Sequence, residues 1–499
     1  MGNDNELAAY ALNPVERKKE LGDNFREHEK EERKDEFRRA YHRDRDRIIW
    51  STAFRRMQNK TQVFAHDDDD HFRRRLTHSI EVAGIACSIA RKLKLNEVAT
   101  DAIALGHDIG HAPFGHAGEE ALNKIFKEYK FPSRVKQPVP LKGFDHCAHA
   151  IEVVSRIETL NGVYSGLGLT FDIRDGILKH IYHTDESTRT KKQLEERPFS
   201  VLSEIVKCKE YEEYKCNYGS LEAQCVWFAD KLTYLFDDLE DAIRAKIFRF
   251  DIRKLRKMRE KLIAMAKKLG ANKGSSETNH KFIREVMEPL ECDILKNVRC
   301  SHLDKALSEK FKKLYGDEGI KNLYKRSDTI HKNHPDDDVR QFLFWRNKTM
   351  TVMIEDCIEA TTKRIVDKPI KTVKDVFECK QRLVDVSEDL RKAWREDKDD
   401  NFYKKTMIEN LFKQRIILKH AYNARKKIHR LFKIYHSEEG YELVPDDYKR
   451  ITKENYRSCN FGVTDDNDRE AVMKVITIRN YIAGMTDAYV NQKLDEYAT

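Results

Sequence analysis

The stretch Ala104 to Glu120, ALGHDIGHAPFGHAGEE, limits the folds open to this chain more than any other. It sets His107 beside Asp108 and follows them with His111, His116 and Glu119, in a segment broken by Gly110, Pro113 and Gly115. Adjacent side chains on a regular helix point in different directions. His107 and Asp108 therefore meet one ion only where a helix end bends or where the ion sits between helices. The glycines and the proline supply that bend.

Composition agrees with a helical scaffold around such a segment. Charged residues make up 36% and apolar ones 40% of 499 residues, with only 20 Gly and 10 Pro. That balance favours long helices with charged surfaces over sheets and predicts an all-α fold. The net charge of +9, from 94 basic and 85 acidic residues, suits anionic ligands without requiring nucleic acid. Ten scattered cysteines form no CxxC pair, the pattern of free thiols in a reducing compartment. The N-terminal stretch MGNDNELAAYALNPVERKKE lacks a signal peptide's apolar core, and no segment approaches the roughly eighteen apolar residues of a membrane span. These features predict a soluble cytoplasmic protein.

Residues 1–40 are rich in Glu, Lys and Arg and read as an N-terminal arm or exposed helix. The next text, FRRAYHRDRDRIIWSTAFRRMQNKTQVF, mixes arginines with apolar anchors, as either a phosphate-facing wall or a salt-bridged helix face would. The run Asp67 to Asp70 lacks the alternating spacing of a calcium loop and reads as a solvated turn. From Ile80, small and apolar residues recur at Ala83, Cys87, Ala90 and Leu93, a helical spacing with His78 at its start. Residues 221–245 predict a strong helix in which Asp230, Tyr234 and Asp238 recur at four-residue steps and share one face.

His78, His107, Asp108 and Asp230 would together offer two imidazole nitrogens and two carboxylates to one ion. Such a mixed set suits an octahedral divalent ion with open positions, Mn²⁺ or Mg²⁺ first, with Fe²⁺, Co²⁺ or Ni²⁺ also compatible. Open positions point to catalysis.

The segments RDRIIWSTAFRRMQNKTQVF, HFRRRLTHSIEVA, LGHDIGHAPFGHAGE, GLTFDIRDGILKH, ADKLTYLFDDLEDA and NYIAGMTDAYV, in this order, resemble the deoxyguanosine triphosphate triphosphohydrolase family of HD-domain enzymes. The resemblance implies an HD-domain helical core at 41–249, a variable lysine-rich helical insertion at 250–340, and C-terminal helices at 341–499 that complete the fold. It implies that His78, His107, Asp108 and Asp230 are metal ligands and that His116 and Glu119 are a catalytic pair, holding the nucleophilic water or protonating the leaving group. By the same resemblance Gln62 reads the sugar 3′-hydroxyl, while Tyr234 and Asp238 pack and hydrogen-bond the deoxyribose. Arg75, His111 and Lys231 match phosphate contacts, and His146 approaches the phosphates.

The implied reaction takes a dNTP and water to a deoxynucleoside and inorganic triphosphate. Implied partners are an allosteric dNTP and further copies of the chain in a tetramer or hexamer, with no membrane, while the basic 250–340 region and the arginines near residue 40 suggest single-stranded DNA. Departures fall on Cys147 and His149, where relatives carry an amide pair, on Lys231 in place of an Asp, and on Asn480 in place of another Asp. Two readings compete: another HD phosphohydrolase acting on nucleotides, and a dNTP-sensing or single-stranded nucleic-acid-binding protein.

Overall fold

A computed structural model of the chain describes residues 7–26, 38–62, 72–130, 143–160, 164–180, 218–246, 301–333, 337–391, 413–456 and 465–497. The Asp67 to Asp70 run, the loop at 131–142 and the lysine-rich text at 250–300 lie outside them. The described residues are all-α apart from a two-stranded antiparallel pairing, Thr159–Leu160 with Tyr164–Ser165.

The first helices are α1 (Pro14–Leu21), α2 (Ala40–Trp50), α3 (Thr52–Arg56), α4 (Arg75–Lys92), α5 (Glu97–Gly106), α6 (Gly115–Glu128), α7 (His146–Glu152), α8 (Phe171–Lys179) and α9 (Leu221–Arg244). Next come α10 (Ser301–Asn333), α11 (Asp338–Asp367), α12 (Val373–Glu378) and α13 (Glu388–Arg391). The last are α14 (Arg415–His436), α15 (Glu438–Glu442), α16 (Asp446–Tyr456), α17 (Asp466–Gly484) and α18 (Asp487–Glu496). The chain forms two compact units, one of residues 1–230, 369–383 and 419–499, the other of residues 231–368 and 384–418.

In the first unit α5 packs on both α4 and α2. Its apolar run at Ala99, Ala102, Ile103, Ala104 and Leu105 is buried around the helix, which marks it as an internal element. A second core layer comes from far along the chain. Leu122 and Phe126 of α6 meet Ile428, Leu431 and Phe432 of α14 and Val475, Ile476 and Ile482 of α17. The opposite stripe of α14 is Lys- and Arg-rich, so the helix is amphipathic at the 3.6-residue period.

Within the N-terminal arm, residues 7–26 are anchored to the first unit by buried contacts. Arg17 is 1% exposed, its guanidinium holds the Asp172 carboxylate at 2.8 Å, and the Leu12 amide donates to Glu222 at 2.9 Å. A buried guanidinium needs such a partner, and Asp172 lies where composition could not place it.

In the second unit α10 and α11 run in opposite directions, with Trp345 Nε1 donating to Ser327 Oγ at 3.2 Å and Lys310 pairing with Asp356 at 2.5 Å. Arg346 from α11 meets Glu240 of the C-terminal half of α9 at 2.6 Å.

Candidate active site

The segment after α5 leaves the helix at Gly106 and turns through His107 to Phe114 before α6 begins. Gly110 is required where α7 crosses it, because a β-carbon there would sit 2.1 Å from the His146 carbonyl oxygen and 2.3 Å from the Ala150 nitrogen. At the far end Phe114 adopts φ +62°, a left-handed conformation costing an L-residue about 1 kcal/mol or more. That turn swings α6 into line and puts His116 and Glu119 on its first turns.

Four side chains converge on the inner side of this segment. His78 of α4 has Nε2 3.0 Å from Asp230 Oδ1 of α9. His107 donates from Nδ1 to the Ala104 carbonyl at 2.6 Å, which leaves the lone pair on Nε2. That nitrogen lies 3.5 Å from Asp108 Oδ1 and 3.7 Å from Asp230 Oδ1, buried and without a hydrogen-bond partner among the described residues. In the neutral ring that lone pair faces two carboxylate oxygens, an arrangement made favourable by a cation between them, whether a metal ion or the ring's own second proton. The donor set of His78, His107, Asp108 and Asp230 therefore fits a divalent ion, with the His107 tautomer already set by its backbone acceptor.

Asp108 also carries the cationic side of the site. Its Oδ2 accepts from Arg75 Nη1 at 2.9 Å and its Oδ1 lies 3.1 Å from His111 Nδ1. Burial works against its charge, but His111, His107 and Arg75 hold Asp108 well below the usual carboxylate range. The His111 pKa is lowered too, which for a histidine disfavours the charge: burial, Arg75 and His146 push it well below the ordinary histidine value.

Glu119 is shared by two histidines. His116 Nδ1 lies 3.4 Å from Oε2, and the His116 side chain is 62% exposed. His146 is closer, with Nδ1 2.9 Å from both carboxylate oxygens and its backbone amide donating to Oε1 at 3.1 Å. Burial opposes the charge on Glu119, yet His146 and His116 hold it well below the usual range. Burial likewise opposes charge on His146, but Glu119 and Cys147 raise its pKa well above the ordinary value. The His146 and His111 ring centroids lie 3.7 Å apart with the rings tilted by 31°.

Sequence reasoning paired Glu119 with His116 and placed His146 on the phosphates. It missed the closer His146 to Glu119 bond, and it read His149 only as a departure from the relatives, not as the residue whose Nδ1 donates to the Gly110 carbonyl at 2.9 Å. The one signal was the His146 and His149 spacing, which puts both on one face of α7. His180 on the end of α8 was also unforeseen: it packs edge-on to His107 at 5.0 Å and lies 3.9 Å from Cys147 Sγ. Gln62 is buried after the Thr61 to Arg74 bridge. Lys231, Tyr234 and Asp238 continue α9 beyond Asp230, with Tyr234 and Asp238 on the same helical face as that ligand candidate.

The HD domain family model matches residues 75–235, from the first residue of α4 to one turn past Asp230. The phosphohydrolase-associated domain matches residues 395–496. A deoxyguanosinetriphosphate triphosphohydrolase-like protein of Rickettsia felis is 29% identical over 491 residues, 98% of this chain and 97% of the relative. One of Bartonella tribocorum is 30% identical over 453 residues, 91% of this chain and 87% of the relative. Fold, site and domain match define an HD-domain phosphohydrolase. At this coverage and identity the chain belongs to the deoxyguanosinetriphosphate triphosphohydrolase-like family.

Proposed function

We propose that this phosphohydrolase is a metal-dependent deoxynucleoside triphosphate triphosphohydrolase, releasing inorganic triphosphate and a deoxynucleoside from dGTP or several dNTPs. One observation carries the reading: His107 Nε2 lies between the carboxylates of Asp108 and Asp230, with His78 on the latter, which suits a cation-dependent centre. The names of the relatives add the substrate class.

In this reading His78, His107, Asp108 and Asp230 hold the divalent ion, Mn²⁺ or Mg²⁺ in preference to Fe²⁺, Co²⁺ or Ni²⁺. Bound there, it supplies a Lewis acid that stabilises negative charge on the α-phosphate. The chain's own residues do the rest. Arg75, His111 and Lys231 bind the phosphate oxygens, and a protonated His146 adds positive charge beside them. Gln62 takes the 3′-hydroxyl, while Tyr234 and Asp238 hold the deoxyribose. Water oxygen joins the α-phosphorus as the bond to O5′ breaks, and one proton ends on O5′. His116, exposed and oriented by Glu119, is the group placed to hold that water or deliver that proton.

The test is an assay of each dNTP, singly and in mixtures, with Mn²⁺ or Mg²⁺ and then with chelator. Activity that appears with metal and disappears with chelator is expected. Phosphate release that is indifferent to chelation contradicts the metal assignment, and absence of turnover in every mixture contradicts the activity.

A second observation favours an anionic partner for the same protein. A groove of about 770 Å³ between α6 and α14 is lined by Lys124, Arg425, Lys426, Arg430 and Lys433, with Glu120 pairing Arg425 at 2.8 Å and Tyr422 half-exposed at its wall. Lys426 Nζ stands 4.6 Å from the Tyr422 ring centroid. Cationic side chains beside an accessible aromatic suit single-stranded nucleic acid or a regulatory dNTP. Single-strand affinity that falls steeply with salt and is lost in Arg425→Ala/Arg430→Ala supports the first; dNTP activation lost in that variant supports the second.

A further inference from the structure

The C-terminal stretch NYIAGMTDAYV is not used by the site as described, although it packs against it. We propose that Lys60 and Asp487 are positioning residues for the hydrolysis: together they hold the main chain of His111 to Phe114 so that His116 faces the substrate. The inference rests on the triphosphohydrolase reading above for its catalytic meaning and on geometry alone for its structural one.

Asp487, the first residue of α18, receives two main-chain amides from two distant segments. Its Oδ1 accepts from Phe114 N at 2.7 Å and its Oδ2 from Thr61 N at 2.9 Å. Phe114 is the residue that turns the chain into α6, and α6 has no side-chain cap of its own. Serine, threonine, asparagine or aspartate normally caps a helix start from the helix's own chain. Here a phenylalanine occupies that position, and the carboxylate arrives from the end of the protein. It also puts negative charge beside the helix N-terminus, where it is favourable. The second amide it holds, Thr61, immediately precedes Gln62, so one carboxylate ties the residue assigned to the sugar to the turn that aims His116.

Lys60 completes the tie. It is 4% exposed, and its ammonium donates to the His111 carbonyl at 2.5 Å and to the Ala483 carbonyl of α17 at 2.9 Å. Together with His149 on the Gly110 carbonyl, these bonds leave the turn fixed at Gly110, His111 and Phe114 by three side chains from outside it. None of the three needs to touch substrate. Each sets where His111 and His116 point, and misplacement of a catalytic group by about 1 Å can cost on the order of a hundredfold in rate.

The test compares full-length wild type with Asp487→Asn, which is nearly isosteric but offers an NH₂ to one of the two amides, and with Lys60→Met, which removes the other arm. For Asp487→Asn the expected results are a fall in kcat of about tenfold or more, with KM and Mn²⁺ affinity within about twofold of wild type. Amide hydrogen exchange, measured without substrate, is expected to rise at 108–118 in both variants while the α14 and α17 core stays protected. A kcat within about twofold of wild type overturns the positioning role. Unchanged exchange at 108–118 overturns the clamp itself, as does exchange that rises uniformly through the chain. If wild type releases no triphosphate but the local rise in exchange appears, the clamp stands and the assigned reaction fails.

Discussion

The His107 imidazole decides how the site reads at the level of single residues. Its Nδ1 is committed to the Ala104 carbonyl, so in the neutral ring Nε2 is the free ligand atom, and it faces Asp108 and Asp230. On the assigned ligand set, Asp230→Ala is expected to lower bound metal and turnover together, read by metal analysis of the purified protein beside the activity assay. Glu119→Gln is expected to separate the two, with metal content kept and turnover down about a hundredfold or more, because a neutral amide no longer orients His116 or balances charge on His146. Metal lost from Glu119→Gln would contradict the division of labour between the two carboxylates. The ligand candidates came from the resemblance of the ordered motifs, since a lone His-Asp pair is weak evidence for a metal. His146 on Glu119 was not legible, because it depends on α7 crossing directly over Gly110, a fact of packing that no spacing encodes.

At the scale of elements, α9 carries the most unusual chemistry. Its periodicity made the helix and the shared face of Asp230, Tyr234 and Asp238 readable in the sequence. That its first turn is buried was not readable, since Glu222 looks like an ordinary exposed first-turn acid. In the fold Glu222 is fully buried and accepts from the amides of Leu12 and Asn96 at 2.9 and 3.1 Å. Burial pushes its pKa from 4.5 up to about 7. For a raised carboxyl the folded and unfolded states are both protonated below the unfolded value, so there is no penalty there. As pH rises the unfolded chain ionises first, and stability falls between about 4.5 and about 7. Glu222→Gln keeps the acceptor and removes the ionisation. Relative to wild type it is expected to gain on the order of 2 kcal/mol at pH 8 over its value at pH 4, measured by denaturant unfolding at both. An equal difference at both values would show that Glu222 ionises normally. Gly110→Ala tests the crossing of α7: the new methyl meets the His146 carbonyl at 2.1 Å, so a loss of more than about 2 kcal/mol or misfolding is expected. Wild-type stability in that variant would mean that α7 does not pass so close.

For the whole molecule, the metal-ligand candidates and the His116 and Glu119 pair belong to a unit assembled from segments far apart in the chain. The HD domain match ends at residue 235, yet α6 rests on α14 and α17, and Asp487 reaches back to Phe114. The all-α class could be read from composition and periodicity, and the family from six ordered motifs. The incorporation of residues 7–26 could not, because it turns on the Arg17 to Asp172 pair, 155 residues apart in sequence. On the proposed reaction this centre breaks the bond between the α-phosphorus and O5′ of a dNTP. Turnover in heavy-oxygen water with Mn²⁺, followed by separation of the products, reads which bond is broken. Inorganic triphosphate carrying one heavy oxygen and an unlabelled deoxynucleoside are expected. Orthophosphate or pyrophosphate as the product, or label on the deoxynucleoside 5′-hydroxyl, would contradict that reaction.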